Sequence, residues 1–279
     1  MAASSLSLRR IIPGSRRYVR DLWGRREFAW YLALGNLKAR NASTGLGLLW
    51  WVLNPLLLGG IYALVFGVIL RVSRGVDDYV SYLLAGMFAF YYTRSAMVGG
   101  VNSIVNNTRL LSNLQFPRLI LPFSALVESA VGFIASLAAF YFIVWPIDGT
   151  LPGPEIAWLV PAMVIHTVFN FGLAALVARI AVPFRDVNNL VPYLLRLWLY
   201  LSPIIYPVAF LTDSGLPAAL VRALEFNPLF PILAMYRHAL VGDPLTGEDV
   251  LVAGLWAAAV FVIGVATFVR NEGRIARYV

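Results

Sequence analysis

The chain contains no cysteine, only two histidines and a single lysine among its 279 residues. The lack of cysteine excludes disulfides, thiolate metal sites and cysteine nucleophiles. The two histidines, His166 and His238, are far apart in sequence, which argues against a histidine-based metal site. We therefore predict no metal site in this chain.

Sequence motifs typical of enzymes are missing too. A nucleotide-binding P-loop needs a lysine followed by serine or threonine, but the only lysine, Lys38, is followed by Ala39. The His-Glu-x-x-His motif of zinc proteases and the Gly-x-Ser-x-Gly motif of hydrolases are both absent. We therefore expect no catalytic residues, no enzyme activity of the chain by itself and no cofactor held by it.

Charge is scarce and unevenly distributed. Only 13% of the residues are charged and 60% are hydrophobic, whereas about 25% are charged in a typical soluble domain. Residues 41–70 contain no charged side chain, and the first forty residues carry nine Lys or Arg. About twenty apolar residues cross the roughly 30 Å core of a bilayer as a helix, and basic residues flank the cytoplasmic end. These features predict an integral membrane protein whose N-terminus is cytoplasmic.

Six membrane-spanning helices are predicted from the sequence. We place them at residues 48–70, 79–105, 119–145, 156–178, 190–210 and 250–269. With this count the cytoplasmic segments hold sixteen Lys or Arg and the outer segments hold four, as the positive-inside rule expects when both termini are cytoplasmic. The net charge of +8 then reflects membrane topology. We predict no nucleic-acid partner, because a nucleic-acid binder clusters its arginines on a soluble face.

Two further segments do not fit simple spans. Residues 27–41 have one narrow helical arc of small and polar residues and are apolar elsewhere, which predicts a helix lying in the cytoplasmic interface. Residues 202–233 are apolar but hold five prolines, Pro203, Pro207, Pro217, Pro228 and Pro231. Proline interrupts helices, and irregular backbone at membrane depth must be buried in protein or line a cavity. We therefore predict a re-entrant helical hairpin on the outer side.

The loop between the second and third spans is short and lies on the predicted cytoplasmic side. Asn107 or Thr108 can cap a helix of one to two turns, which Phe116-Pro117 would end. One interpretation is a tight intracellular hairpin, and the other is a docking site for a cytosolic partner. The residues alone modestly favour the hairpin.

Three ionisable residues, Arg94, Glu128 and Arg196, lie within predicted spans. Such residues are costly in lipid, so each either faces a cavity or is neutralised by a partner. The sequence gives these two interpretations equal weight. From the depths along their helices we predict that Glu128 pairs with Arg94, with Arg196 as the weaker candidate. In the fourth span, His166 is expected to be a hydrogen-bonded contact between helices.

Several local sequences are similar to one family of transporters. They are Leu-Gly-Leu-Leu-Trp-Trp-Val-Leu-Asn-Pro-Leu at 46–56, Phe-Pro-Arg at 116–118, Leu-Ser-Pro-Ile-Ile-Tyr-Pro at 201–207, Leu-Glu-Phe-Asn-Pro at 224–228 and Tyr-Arg at 236–237. Together and in this order they resemble the permease subunit of ABC-2 type polysaccharide exporters, those for O-antigen, teichoic acid and mycobacterial galactan. The resemblance covers about residues 23–268.

The resemblance implies an all-α integral membrane fold with six transmembrane helices, an N-terminal interfacial helix and re-entrant outer gate helices. Residues 1–279 would form one permease domain, with a cytoplasmic head at 1–45, a membrane region at 46–270 and a cytoplasmic tail at 271–279. Two copies would line a channel in the plasma membrane, and two cytosolic ATPase subunits would bind ATP and Mg. The substrate would be a polysaccharide on a polyprenyl diphosphate lipid, and the arginine-rich, lysine-poor composition favours cell-wall galactan.

The resemblance also implies roles for individual residues. The segment that couples to the ATPase would hold Asn107, Thr108, Arg109, Leu111, Asn113, Phe116, Pro117 and Arg118. The cytoplasmic gate helix would hold Arg26, Phe28, Trp30, Tyr31, Lys38 and Arg40, and the outer gate would hold Pro203, Tyr206, Pro207, Asn227 and Pro228.

Two alternative functions stay open at this point. One is an ABC-2 exporter of a drug or a small lipid, which would share the coupling segment. The other is a membrane-embedded enzyme that acts on lipid-linked sugars. That enzyme would need a cluster of carboxylates or histidines near one interface, and none is found in the sequence.

Overall fold

The computed structural model describes residues 15–41, 44–70, 78–113, 116–148, 153–207 and 217–275. Within these ranges the chain is mostly helical and forms no β-strand, which confirms the predicted all-α fold. The helices are α1 (Ser15–Gly24), α2 (Arg26–Asn41), α3 (Trp50–Tyr62), α4 (Tyr79–Val105), α5 (Thr108–Asn113), α6 (Ile120–Asp148), α7 (Leu159–Ala181), α8 (Val187–Leu201), α9 (Ala218–Glu225), α10 (Leu229–Val241) and α11 (Gly247–Ile275).

Each of the six predicted spans overlaps a helix. Among the described residues, three segments are long and apolar enough to cross a membrane, namely Ile120–Pro146, Pro154–Ala181 and Gly247–Gly273. α4 has 27 residues but carries more polar side chains. α3 is a shorter apolar helix that continues into a π-helical segment, Ala63–Ile69. The total of six spans therefore stays a prediction.

α8 ends at Leu201, whereas the sequence predicted a span through residue 210. Ser202 is extended, with φ of −97° and ψ of 145°. It precedes Pro203, and a residue before proline avoids the helical region because the proline ring collides with its backbone. An irregular segment, 203–207, follows α8, and residues 208–210 lie outside the described residues.

α4 lies at the centre of the bundle and packs against α6, α7, α8 and α10. Every residue from 79 to 90 is buried. Elsewhere small residues let helices approach closely. A Cβ on Gly264 of α11 would overlap the carbonyl oxygen of Gly172 in α7, and a Cβ on Gly100 would meet the backbone of Ala174. Glycine at these positions therefore sets the distance between helices.

The apolar interior has two parts. The larger part lies mainly among α4, α6, α7, α8, α10 and α11. The smaller part, which we call the inner core, comprises Tyr18, Ile104, Leu119, Leu121, Ala175, Ala178, Val182 and Phe268. These residues come from α1, α4, α6, α7 and α11 and from the residues flanking α6 and α7. They lie at the end of the bundle that holds α5, which we call the inner end; the opposite end is the outer end.

Candidate functional site

α5 is the short helix that the sequence predicted between the second and third spans. The amide Nδ2 of Asn107 donates backwards to the carbonyl oxygen of Ser103 at 2.9 Å, and the cap predicted from the side chain of Asn107 or Thr108 stays a prediction. Thr108 is exposed, and Leu111 packs against the inner core. α5 is therefore seated on the inner core by an apolar side chain while its first residue remains exposed. The side chains of Arg109 and Asn113 lie outside the described residues.

Residues 116–118, which lie shortly before α6, contact helices that are distant in sequence. The rings of Phe116 and Phe28 of α2 meet edge to face, with centroids 5.5 Å apart. The carbonyl of Pro117 accepts the first backbone hydrogen bond of α6. The backbone N–H of Arg118 donates to Oε1 of Glu272 at 2.6 Å, and its Nη1 donates to the backbone oxygen of Glu272 at 2.7 Å. This segment therefore contacts both α2 and the last turns of α11.

α2 turns its small residues inward and its aromatic residues outward. Ala29, Ala33 and Leu37 are buried, and α2 packs against α6. Trp30 is 48% exposed and Tyr31 is 70% exposed. Large rings on the outer face of a helix are typical of a membrane–water interface, which agrees with the predicted interfacial helix.

The charged residues of α2 lie on its exposed side. Nη1 of Arg26 donates to the carbonyl oxygen of Trp23 at 3.2 Å, and the guanidinium lies 5.4 Å from the centre of the Trp23 ring. Lys38 is exposed. The side chain of Arg40 lies outside the described residues.

Glu128 of α6 is bound by α2. Nδ2 of Asn36 donates to Oε1 of Glu128 at 2.7 Å. Arg94 is exposed and lies 5.3 Å from the centre of the Tyr91 ring. The predicted ion pair between Arg94 and Glu128 therefore stays a prediction. What the described residues show is the packing of α2 on α6, which brings an amide to the carboxylate.

At the outer end, the irregular segment 203–207 packs on the beginning of α4. The hydroxyl of Tyr79 donates to the carbonyl oxygen of Ile205 at 2.6 Å. The hydroxyl of Tyr82 donates to the carbonyl oxygen of Tyr206 at 3.4 Å. Backbone carbonyls that a helix would have used are thus satisfied by tyrosines. The two prolines predicted here, Pro203 and Pro207, are buried.

Arg237 of α10 holds the same segment from the other side, and sequence reasoning missed it. The side chain is only 4% exposed, donates through Nη2 to the carbonyl oxygen of Pro203 and lies 3.5 Å from the centre of the Tyr82 ring. Nearby, burial raises the pKa of the Asp243 carboxyl, while the charges of Arg237 and His238 lower it. The signal available in the sequence was that Arg237 is the one arginine in the largely apolar helix α10.

Asn227 connects the end of α8 to the start of α10. Its Oδ1 accepts from Nε1 of Trp198 at 2.8 Å and from the backbone N–H of Leu229 at 3.1 Å. Its Nδ2 donates to Oγ of Ser202 at 2.8 Å. Asn227 thus caps α10 with its side chain, and Pro228 follows as a residue that already has helical backbone angles.

The chain between α9 and α10 lies beside the middle of α11. The rings of Phe226 and Trp256 are 5.0 Å apart. Trp256 is nine residues after Gly247, the first residue of α11, which places it about 14 Å along the helix axis. α10 then leads back to the loop that begins α11. The re-entrant hairpin expected at residues 202–233 stays a prediction.

His166 lies in a buried polar network inside the bundle. Its Nε2 lies 2.7 Å from Oγ1 of Thr93, and its Nδ1 lies 3.2 Å from the hydroxyl of Tyr236. Tyr92 and Thr167 form a neighbouring hydroxyl pair at 3.0 Å. The prediction that His166 is a hydrogen-bonded contact between helices is confirmed. Among the described residues, no three His, Asp or Glu side chains come together as metal ligands would.

α8 is covered by the rest of the protein along one narrow stripe. Val191 and Leu195 are buried in it, whereas Tyr193 and Leu197 are 68% and 57% exposed. Arg196 is also exposed. α8 therefore presents a charged residue on an exposed, largely apolar helix face.

Comparison with known proteins agrees with this architecture. The sequence profile of the ABC-2 type transporter family matches residues 28–241. The chain is 29% identical over 250 residues to the O-antigen export system permease protein RfbA of Myxococcus xanthus, covering 87% of this chain and 94% of that protein. It is 25% identical over 242 residues to the protein of that name from Klebsiella pneumoniae, covering 86% and 90%. It is 22% identical over 252 residues to the polysialic acid transport protein KpsM of Escherichia coli, covering 86% and 92%.

The match extends from α2 to the end of α10 and includes α5, the segment 203–207 and Arg237. Together with the all-α architecture, it identifies a multi-pass integral membrane protein. The chain belongs to the ABC-2 type transporter family.

Proposed function

We propose that this protein is the membrane subunit of an ATP-driven polysaccharide exporter. The observation that carries the proposal is the similarity to export permeases over more than four-fifths of the chain. The chain has no P-loop, so its energy would come from separate ATPase subunits. The sequence alone modestly favoured a simple hairpin at α5; family membership changes the preference to a docking site.

Two cytosolic ATPase subunits, each binding ATP and Mg, would dock on α5 of two copies of this chain. Three observations support this docking site. α5 joins two central helices, it is seated on the inner core through Leu111, and the residues after it contact α2 and α11. A force applied to α5 would therefore reach several helices at once. The basic residues near this end favour a cytoplasmic location for both termini.

The open face of α8 would line the translocation path between the two copies. An arginine at membrane depth is expensive in lipid and normally faces a water-filled cavity or a partner. Arg196 would meet this condition in a conduit and could attract the diphosphate of a lipid carrier. Exposed rings such as Tyr193 would offer flat surfaces to sugar rings.

Gates at both ends of this path follow from the same arrangement. α2 would form the cytoplasmic gate, because it lies at the inner end and is tied to Glu128 by Asn36. The segment 203–207 and the Asn227-Pro228 turn would form the outer gate, with Arg237 and the tyrosines of α4 holding its closed form.

The substrate would be a polysaccharide carried on a polyprenyl diphosphate lipid in the plasma membrane, and cell-wall galactan is our choice among such polymers. Arginine near the path suits a diphosphate, which supports the lipid carrier. The composition, rich in arginine and poor in lysine, is the reason for choosing galactan.

Co-purification tests the proposal. The tagged chain, isolated in mild detergent from its native membranes, should bring down an ABC ATPase in a one-to-one ratio. Replacing exposed Thr108 with a bulky biotinylated cysteine should reduce the amount of ATPase that is bound. A matched label in place of exposed Glu248, at the other end of the bundle, should not. Recovery of the chain without any ATPase would contradict the proposal.

A further inference from the structure

The contact between Arg118 and Glu272 joins two parts of the chain that are 154 residues apart. It has two hydrogen bonds that use different atoms of each residue. The carboxylate of Glu272 accepts from the backbone of Arg118, and the guanidinium of Arg118 donates to the backbone of Glu272. Hydrogen bonds with an ionised partner are shorter and stronger than neutral ones. The pair thus fixes the backbone of both segments relative to each other.

A simpler role for Glu272 is to satisfy a free N–H group at the start of α6, as a carboxylate does at a helix N-terminus. The surroundings indicate more than that. Tyr18 of α1 is buried at the same place, where burial first and the carboxylate of Glu272 second raise the pKa of its phenol. Leu119 follows Arg118 directly, and Phe268 lies one helical turn before Glu272. Both residues belong to the inner core. Three elements therefore converge on this contact.

The position of this contact matters for the transmission of movement. α5 is covalently continuous with α4 and α6, whereas α11 comes much later in the chain. α11 packs against α7 and α10, and α10 carries Arg237, which holds the outer segment at Pro203. Energetic coupling between distant sites needs such a chain of packed helices and hydrogen bonds. The Arg118–Glu272 contact is a direct hydrogen-bonded link between the residues after α5 and this route.

We propose that Glu272 is a positioning residue that transmits movement of α5 to α11 and, through α10, to the outer end. This inference rests on the proposed docking of an ATPase at α5. It assigns to α11 an active part in the transport cycle, beyond packing against α7.

The cysteine-free chain allows a direct test in the complex with its ATPase. A single cysteine replaces either Leu251 of α11 or Ile134 of α6, both of which are exposed, and carries an environment-sensitive fluorophore. The signal change on adding ATP and Mg is measured for each label. The variants are Glu272→Ala, which removes the acceptor, and Glu272→Gln, which keeps an acceptor oxygen. The control is Glu248→Ala, an exposed glutamate at the opposite end of the same helix.

We expect Glu272→Ala to reduce the ATP-dependent signal on α11 at least about twofold, the lower end of what coupling of about 0.5–2 kcal/mol produces. The signal on α6 should stay close to that of the parent, because α6 is linked to α5 by the chain itself. Glu272→Gln should restore most of the α11 signal, and Glu248→Ala should change neither label.

An unchanged α11 signal in Glu272→Ala would overturn the inference. Equal loss at α6 and α11 would also overturn it, since Glu272 would then only support folding or assembly. If the parent complex shows no ATP response at α6, the proposed docking at α5 fails instead, so the two failures are distinguishable.

Discussion

The contact between α7 and α11 makes a quantitative prediction about Gly264. A methyl group there would overlap the carbonyl oxygen of Gly172. Because the opposing atom belongs to the backbone, it cannot rotate away as a flexible side chain would. Adding a methylene to a well-packed interior costs about 1–3 kcal/mol. Alanine in place of glycine within a helix returns about 1 kcal/mol, so we expect Gly264→Ala to lower the free energy of unfolding by up to about 2 kcal/mol.

A matched control lies in the same helix. A Cβ on Gly254 would meet no atom within 4 Å, so Gly254→Ala should be neutral or stabilising by up to about 1 kcal/mol. The helix-propensity term cancels in the comparison of the two variants, and the difference of about 1–3 kcal/mol reports the steric cost alone. Equilibrium unfolding in mixed micelles, followed by circular dichroism, measures both. Equal stability of the two variants would refute the close packing of α7 on α11.

Four further substitutions have expected outcomes. Leu111→Asp should place a charge against the inner core and uncouple ATP hydrolysis from transport; full transport with normal assembly would remove α5 as the docking site. Arg196→Gln should impair export more than assembly, and equal losses in both would show that Arg196 is structural. Arg237→Ala should leave the carbonyl of Pro203 unpaired, cost about 1–3 kcal/mol and expose 203–207 to protease, whereas Arg222→Ala, at an exposed arginine of α9, should not. A cysteine in place of Tyr278 should be labelled by impermeant reagents only from the cytoplasmic side; labelling only from outside would reject the six-span topology.

Much of the helical framework could be predicted from the sequence, because long apolar runs and their breaks depend on local composition. The six predicted spans overlap helices, and Pro203 marks the point where α8 ends, before the predicted end of the fifth span. The short α5 was predicted as well, from the polar residues before it and from Phe116-Pro117 after it.

Contacts between helices could not be predicted in the same way. Asn36 donates a hydrogen bond to Glu128, and that contact depends on small residues such as Ala33, which let α2 lie against α6. The depth of each residue along its helix could not predict this contact, because depth says nothing of which helices are neighbours. The burial of Arg237 was missed for a related reason. Its acceptor is the carbonyl oxygen of Pro203, which comes within reach of Arg237 only when the chain is folded.

ATP-dependent transport by the purified complex is the sharpest test of the proposed export function. Inside-out vesicles would contain this chain with or without its ATPase, and lipid-linked polysaccharide from the source membranes would be supplied on the outer surface. If the chain exports polysaccharide as proposed, the polymer becomes protected from an added glycosidase only when the ATPase, ATP and Mg are all present. Protection without ATPase or ATP, or no protection while a small lipid or drug is taken up, would contradict the proposal.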